Sequence, residues 1–121
     1  MAYVPERGHA IWLTFDPQAG HEQAGRRPAV VLTPASYNRK VGLLLACPVT
    51  NQVKGYPFEV AIPRDLPVSG VALADQVKSS DWHARQASFI CVLPESTITE
   101  IVAKLSTLLP PRPGQVPVGF R

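Results

Sequence analysis

The chain has only two cysteines, Cys47 and Cys91, far apart in sequence. A disulfide framework is therefore not indicated, and a reducing cytoplasm is the expected setting. Both thiols fall inside apolar, strand-like runs, where a buried free thiol is expected. Long hydrophobic runs are also missing. The longest strongly apolar stretch, Val41 to Val49, is broken by Gly42 and Pro48, whereas a membrane span needs about 20 apolar residues. The opening segment, Met1 to Gly8, holds no apolar core of a signal peptide. There is no internal repeat, no P-loop, no GxGxxG after a strand and no CxxC. His9, His21 and His83 have no zinc-ligand spacing with one another or with the cysteines, so no metal or other cofactor is expected.

What is present is a globular composition. The 121 residues are 45% hydrophobic and 17% charged, which fits one domain with a single core and no disordered chain. Thirteen prolines and eight glycines punctuate the chain too heavily for a helical bundle. The net charge is +3 and the isoelectric point about 9.1. That balance permits an anionic partner without demanding one.

Strand formers dominate Ala10 to Phe15, and Asp16-Pro17 stops the run. Gln18 to Arg26 reads as a polar loop with Gly20 and Gly25. Pro28 to Leu32 is short and continuously apolar, as a buried strand is. Pro34 to Asn38 reads as a turn or one helical turn, and Leu43 to Val49 as a third strand. A polar loop over Asn51 to Tyr56 leads to a fourth strand at Phe58 to Ile62. After a loop from Arg64 to Gly70, strands are expected at Val71 to Val77 and at Gln86 to Val92. Ile98, Ile101, Val102, Leu105, Leu108 and Leu109 then repeat at helical spacing. Thr97 and Glu100 fit a capping box, and Pro110-Pro111 ends the helix. Many short strands followed by one helix predict a mainly β protein, a small barrel or rolled sheet with a C-terminal helix. The aromatic residues Trp12, Trp82, Phe15 and Phe58 are expected in its core. Residues 1–109 form the expected domain, with 110–121 a proline-rich, mobile tail.

Three stretches carry candidate chemistry. In Gly20 to Pro28, a carboxylate, an imidazole and two guanidiniums fall between glycines that allow close backbone approach to a ligand. The plain alternative is a solvated loop with surface ion pairs. Arg27 directly precedes the expected buried strand, and it offers Glu22 a cationic partner. In Cys47 to Gly55, Thr50, Asn51 and Lys54 gather at a strand end, where they serve either as turn chemistry or as phosphate contacts. In Ala74 to Ser79, Asp75 interrupts an apolar run and either satisfies backbone amides or faces a cleft.

Gly20-His21-Glu22-Gln23-Ala24-Gly25, followed by Arg27-Pro28-Ala29-Val30-Val31-Leu32, closely resembles the MazF/PemK toxin family. Lys54-Gly55-Tyr56-Pro57-Phe58-Glu59-Val60 and Gly70-Val71-Ala72-Leu73-Ala74-Asp75-Gln76-Val77-Lys78-Ser79 do so too. The similarity runs from about Val4 to Leu109. It implies an SH3-like barrel of the CcdB/PemK type that forms a homodimer. It also implies a ribosome-independent endoribonuclease that cuts single-stranded RNA at a short sequence. A cognate, MazE-like antitoxin would place an acidic, flexible segment in the RNA groove. The MazF-like catalytic set falls on Glu22, Arg27 and Thr50. Kid-like members instead use the histidine, a strand arginine and an aspartate. This chain has His21 and Asp75 but Leu73 where that arginine would stand, which favours the MazF-like set. His21, Gln23, Arg26, Asn51, Lys54, Asp75, Gln76, Lys78 and Arg85 are then the expected RNA contacts.

The residue chemistry is compatible with this. RNA carries its own nucleophile, the 2′-hydroxyl, already beside the phosphorus, so attack gains from proximity without a metal. The protein must add a base, a cation for the phosphorane and an acid for the 5′-oxygen. Glu22 can be the base, Arg27 the cation, and Thr50 a hydrogen-bond donor to a non-bridging oxygen. Arginine gives up its proton poorly, whereas histidine titrates near neutrality, so the acid is either Arg27 or His21. Two other functions are open to such a chain: a gyrase poison of the CcdB type, or a non-catalytic RNA-binding module.

Overall fold

A computed structural model describes residues 2–15 and 20–113. Seven strands and two helices follow in the order β1 (His9–Phe15), β2 (Gly25–Val31), α1 (Ala35–Val41), β3 (Leu43–Thr50), β4 (Glu59–Ala61), β5 (Val71–Leu73), β6 (Lys78–Asp81), β7 (Ser88–Val92) and α2 (Glu95–Ser106). All strand pairs are antiparallel, in the order β4-β5-β3-β2-β1-β7, with β6 also on β3. Among the described residues no ladder joins β4 to β7, so the sheet is barrel-like but open.

Strand β3 organises the sheet. Its first half, Leu43 to Ala46, pairs with β6, and its last two residues, Val49 and Thr50, pair with β5. Between those segments lie Cys47 and Pro48. The chain joins β5 to β6 through a single 3-10 turn, Ala74–Gln76.

Two apolar clusters occupy the two faces. Ala10, Val30, Cys47, Val49, Val60 and Ala72 pack with Ile98 and Ile101 of α2. Ile11, Leu13, Phe15, Ala29, Val31, Leu44 and Ala46 pack on the other face, flanked by Tyr3 and Trp82. Alternate residues of β2 therefore enter different clusters, Val30 in one and Ala29 and Val31 in the other, which is why that stretch reads as a continuous apolar run. Ile98 and Ile101 lie one turn apart, so both reach the sheet. Lys104 ties the same helix to β4, its Nζ donating to Glu59 O at 2.8 Å. No helix among the described residues is long and apolar enough to cross a membrane.

Several expectations are corrected. Strand β2 begins at Gly25, so Arg26 and Arg27 are in the strand rather than before it. The segment at 34–38 is the start of a two-turn helix, closed by Gly42 at φ +81°. The strand expected over Val71 to Val77 ends at Leu73: one further bond, Ala74 N–H to Phe58 O, extends the pairing with β4, and the chain then enters the 3-10 turn. Strand β4 is shorter than expected, and β7 starts at Ser88 because Gln86 takes a positive φ of 58° in the preceding turn.

Strand β6 has no apolar alternation, Lys78-Ser79-Ser80-Asp81, and was not expected; its backbone ladder to β3 defines it. Helix α2 starts at Glu95 after Pro94, with no side-chain cap. Thr97, expected as the cap, is buried inside it. The helix ends at Ser106, ahead of the prolines, which leaves Leu108 and Leu109 exposed. Trp12 is 42% exposed rather than in the core, and Trp82 and Phe58 are only half-buried. Cys47 is buried as expected, whereas Cys91 is only partly so. The Asp16-Pro17 stop and, within the expected tail, residues 114–121 lie outside the described residues.

Candidate active site

Side chains alternate across a strand, so Arg26 and Arg27 leave β2 on opposite faces. The Arg26 guanidinium donates to Thr14 Oγ1 at 3.2 Å and Ser88 Oγ at 3.1 Å. Arg27 is half-buried on the other face. Its Nε donates to Ala24 O at 3.0 Å, and NH1 reaches Val49 O at 3.5 Å. Beyond Val49, Thr50 ends β3 with only 7% of its surface exposed. Thr50 Oγ1 accepts the Gln52 N–H at 3.1 Å, and no residue among those described takes its hydroxyl proton. Gly70, just ahead of β5, comes close to this strand end. Gly70 has φ +108°, and a Cβ there would fall onto Thr50 O.

Arg27 and Thr50 share a groove of about 830 Å³ with His21, Lys54, Tyr56 and Asp75. Gln23, Asp75 and Gln76 also line an adjoining cleft of about 200 Å³, which contains Glu22 and Lys78. The three expected catalytic residues are thus split between two connected hollows. Glu22 is not paired with Arg27, as the sequence led us to expect. Its Oε1 sits 3.0 Å from Lys78 Nζ, because β6 delivers that ammonium to the rim of the cleft. Both side chains of this pair are substantially exposed, so it adds little stability and opens readily.

Gln76 has a positioning role. Its Oε1 accepts the Gln23 N–H and its Nε2 donates to His21 O, each at 3.1 Å. The amide thereby clamps the 21–23 loop over both hollows. Asp75, carried by the 3-10 turn, accepts the Tyr56 hydroxyl on Oδ2 at 2.5 Å. Its other oxygen, Oδ1, is buried and has no partner among the described residues. An unpartnered buried carboxylate oxygen is costly, and a donor from water or from a bound molecule would satisfy it. The same contact raises the Tyr56 pKa, because donating to Asp75 favours the protonated phenol. Burial pushes the Cys47 thiol up to about 12, so it is no nucleophile at neutral pH.

Other expected contacts lie apart. Asn51 accepts the Ser69 hydroxyl on Oδ1 at 3.1 Å and is not in the groove lining. Arg85 sits in the turn after β6, where its backbone bridges Asp81 O and the Thr14 N–H. Four residues of the groove wall, Gln52, Tyr56, Glu59 and Leu73, were not singled out as contacts from the sequence. The signal for Tyr56 was an aromatic residue inside a polar, glycine-containing loop.

A family model described as PemK-like, MazF-like toxin of type II toxin-antitoxin system matches residues 6–109. The chain is 51% identical over 110 residues to the endoribonuclease toxin MazF of Escherichia coli K12, covering 88% of this chain and 96% of that protein. Among solved structures, MazF from Deinococcus radiodurans superposes with a TM-score of 0.86 at 56% identity, covering 89% of this chain and 98% of that one. A MazE-MazF structure from the same organism gives a TM-score of 0.81, also at 56% identity, over 89% and 97% of the two chains.

Proposed function

The chain belongs to the PemK-like, MazF-like family of type II toxins, and from that premise we propose that it is an endoribonuclease toxin cutting single-stranded RNA at a short sequence. Residues 1–109 are the toxin domain, and the protein works in the cytoplasm as a homodimer. The observation that carries the reading is the convergence of Arg27 and Thr50, from the ends of two buried strands, on one groove beside Lys54 and His21. Rigid strand ends hold a guanidinium and a hydroxyl where a phosphate can lie between them.

In the proposed reaction the 2′-oxygen attacks the adjacent phosphorus and the bond from phosphorus to the 5′-oxygen breaks. Glu22 takes the proton of the 2′-hydroxyl, exchanging its contact with Lys78 for one with the substrate. Arg27 stabilises the charge on the phosphorane, and Thr50 donates to a non-bridging oxygen. The 5′-oxygen receives a proton from His21 or Arg27. Histidine is the better donor on chemical grounds, while the family pattern points to Arg27. The products are a 2′,3′-cyclic phosphate and a 5′-hydroxyl, and no metal is required by this scheme.

Among the expected contacts, His21, Lys54 and Asp75 face the groove, and Lys78 stands at the cleft. A MazE-like antitoxin is the partner, and its acidic segment competes for the same cationic groups. The test is incubation of the purified protein with a long single-stranded RNA in EDTA, followed by sequencing of the new 5′ ends. Discrete cuts are expected, and a 2′-deoxy nucleotide at the cut should abolish them. Retention of RNA without cleavage would make the chain a binding module instead. Indifference to RNA would favour a gyrase-poison activity on this fold.

A further inference from the structure

Tyr56 has no role in the chemistry above, yet it stands in the wall of the groove that holds Arg27 and Thr50. We propose that the Tyr56 ring is a fixed platform on which one unpaired nucleobase of the RNA stacks. The inference rests on the nuclease reading.

Tyr56 is 46% exposed, unusual for a ring lining a concave wall. It does not fill the core, and its only ring neighbour among the described residues is Phe58, tilted at 48° with centroids 5.7 Å apart. Such a tilted contact supports the ring along one side and leaves aromatic surface open. The ring is also held at both ends. At its tip, the hydroxyl donates to Asp75. At its base, Tyr56 O accepts the Glu59 N–H at 3.0 Å.

The Glu59 carboxylate then steadies the preceding turn. Oε2 accepts the Lys54 N–H at 2.9 Å and Oε1 the Gly55 N–H at 3.1 Å. Glu59 is itself anchored to α2 through Lys104. Residues 51–58 carry no helix or strand, but these bonds fix the one aromatic ring they present to the groove. A ring immobilised in advance loses little entropy when a base settles on it.

The surroundings match the ligand. Lys54 and Arg27 line the same groove as the ring, so cations for the phosphates stand in the hollow that holds the platform. Aromatic rings among basic groups are how proteins grip single strands, since every base offers a π-face. The Asp75 contact favours the protonated phenol, which suits a neutral platform rather than a proton donor.

The experiment uses an oligoribonucleotide spanning the cut site mapped for the wild-type chain, with 2′-H at the scissile nucleotide. Tyr56→Ala should bind it about ten- to a hundredfold more weakly. On the cleavable RNA the same variant should raise KM by a similar factor and leave kcat within about twofold. The salt dependence of binding should not change, whereas Lys54→Met should lower the slope by about one. Tyr56→Phe keeps the ring and should bind within about threefold of wild type.

Abasic substitutions scanned along the oligonucleotide locate the stacked base. One position should cost the wild type affinity but cost Tyr56→Ala nothing further. Three results would each overturn the inference: unchanged binding by Tyr56→Ala, a Phe variant as weak as the Ala variant, or abasic losses that add fully to the Ala loss at every position. Failure of the wild-type chain to bind or cut any RNA would overturn the nuclease reading itself.

Discussion

Replacing Arg27 by alanine should separate catalysis from folding, because the proposed reaction and the fold give the side chain different weights. In the fold it makes one well-formed hydrogen bond, Nε to Ala24 O at 3.0 Å; its approach to Val49 O is at the distance limit. Such a bond contributes about 1 kcal/mol. For a domain of this size that lowers the melting temperature by roughly 4 °C, so the variant is folded at 25 °C. In the proposed reaction the same guanidinium would face charge that grows only in the transition state. Removing one such donor typically slows turnover by about a hundred- to a thousandfold, or roughly 3–4 kcal/mol. Single-turnover cleavage of the mapped oligonucleotide measures this, with circular dichroism as the folding control. Arg27→Lys should fall between, since it keeps a charge but loses the planar fork. Cleavage by Arg27→Ala within a few-fold of wild type would refute the role, and an unfolded variant would make Arg27 a structural residue.

Three further outcomes follow from other parts of the molecule. Gly70→Ala should lower the melting temperature markedly and depress cleavage together, because the new Cβ meets Thr50 O and the backbone is left-handed at that position; thermal denaturation and rate measurements on one preparation check the coupling. The Tyr3 phenol is pushed up to about 12 by burial, so folding favours its protonated form. Its contribution to stability is complete below pH 10 and is lost as pH rises from about 10 to 12, a decline that melting curves should show and that Tyr3→Phe should flatten. RNA and an acidic antitoxin-derived peptide should exclude one another and both weaken with salt; a ternary complex in a fluorescence competition assay would place the antitoxin elsewhere, and a monomer by light scattering would reject the homodimer.

The strands that enclose the core were legible in the sequence because burial on two faces leaves an unbroken apolar record, as in Ala29-Val30-Val31. Strand β6 left no such record. Lys78 to Asp81 are held by backbone bonds to β3, and backbone bonds are indifferent to side chain. The run Val71 to Val77 looked like one strand because a linear reading does not register the 3-10 turn at Ala74–Gln76. At the site, the residue types were readable but their partners were not. Arg26 and Arg27 are neighbours in sequence, and only the early start of β2 reveals that they face opposite ways. Glu22 met Lys78, from a strand that was not foreseen, instead of the arginine five residues away. Gln76 gave no hint that its amide is spent on the 21–23 loop.

The pairing of β1 with β7 joins opposite ends of the described chain, His9 with Val92. Contacts of such high sequence separation form late and make folding slow. During synthesis Glu22, Arg27 and Thr50 leave the ribosome early, but the amide that clamps the 21–23 loop arrives only with Gln76 and the Glu22 partner only with Lys78. The strand covering β1 comes later still. A nascent chain therefore presents Glu22, Arg27 and Thr50 before the residues that hold the 21–23 loop and cover β1 have been made, so the groove takes shape only when most of the sheet is in place.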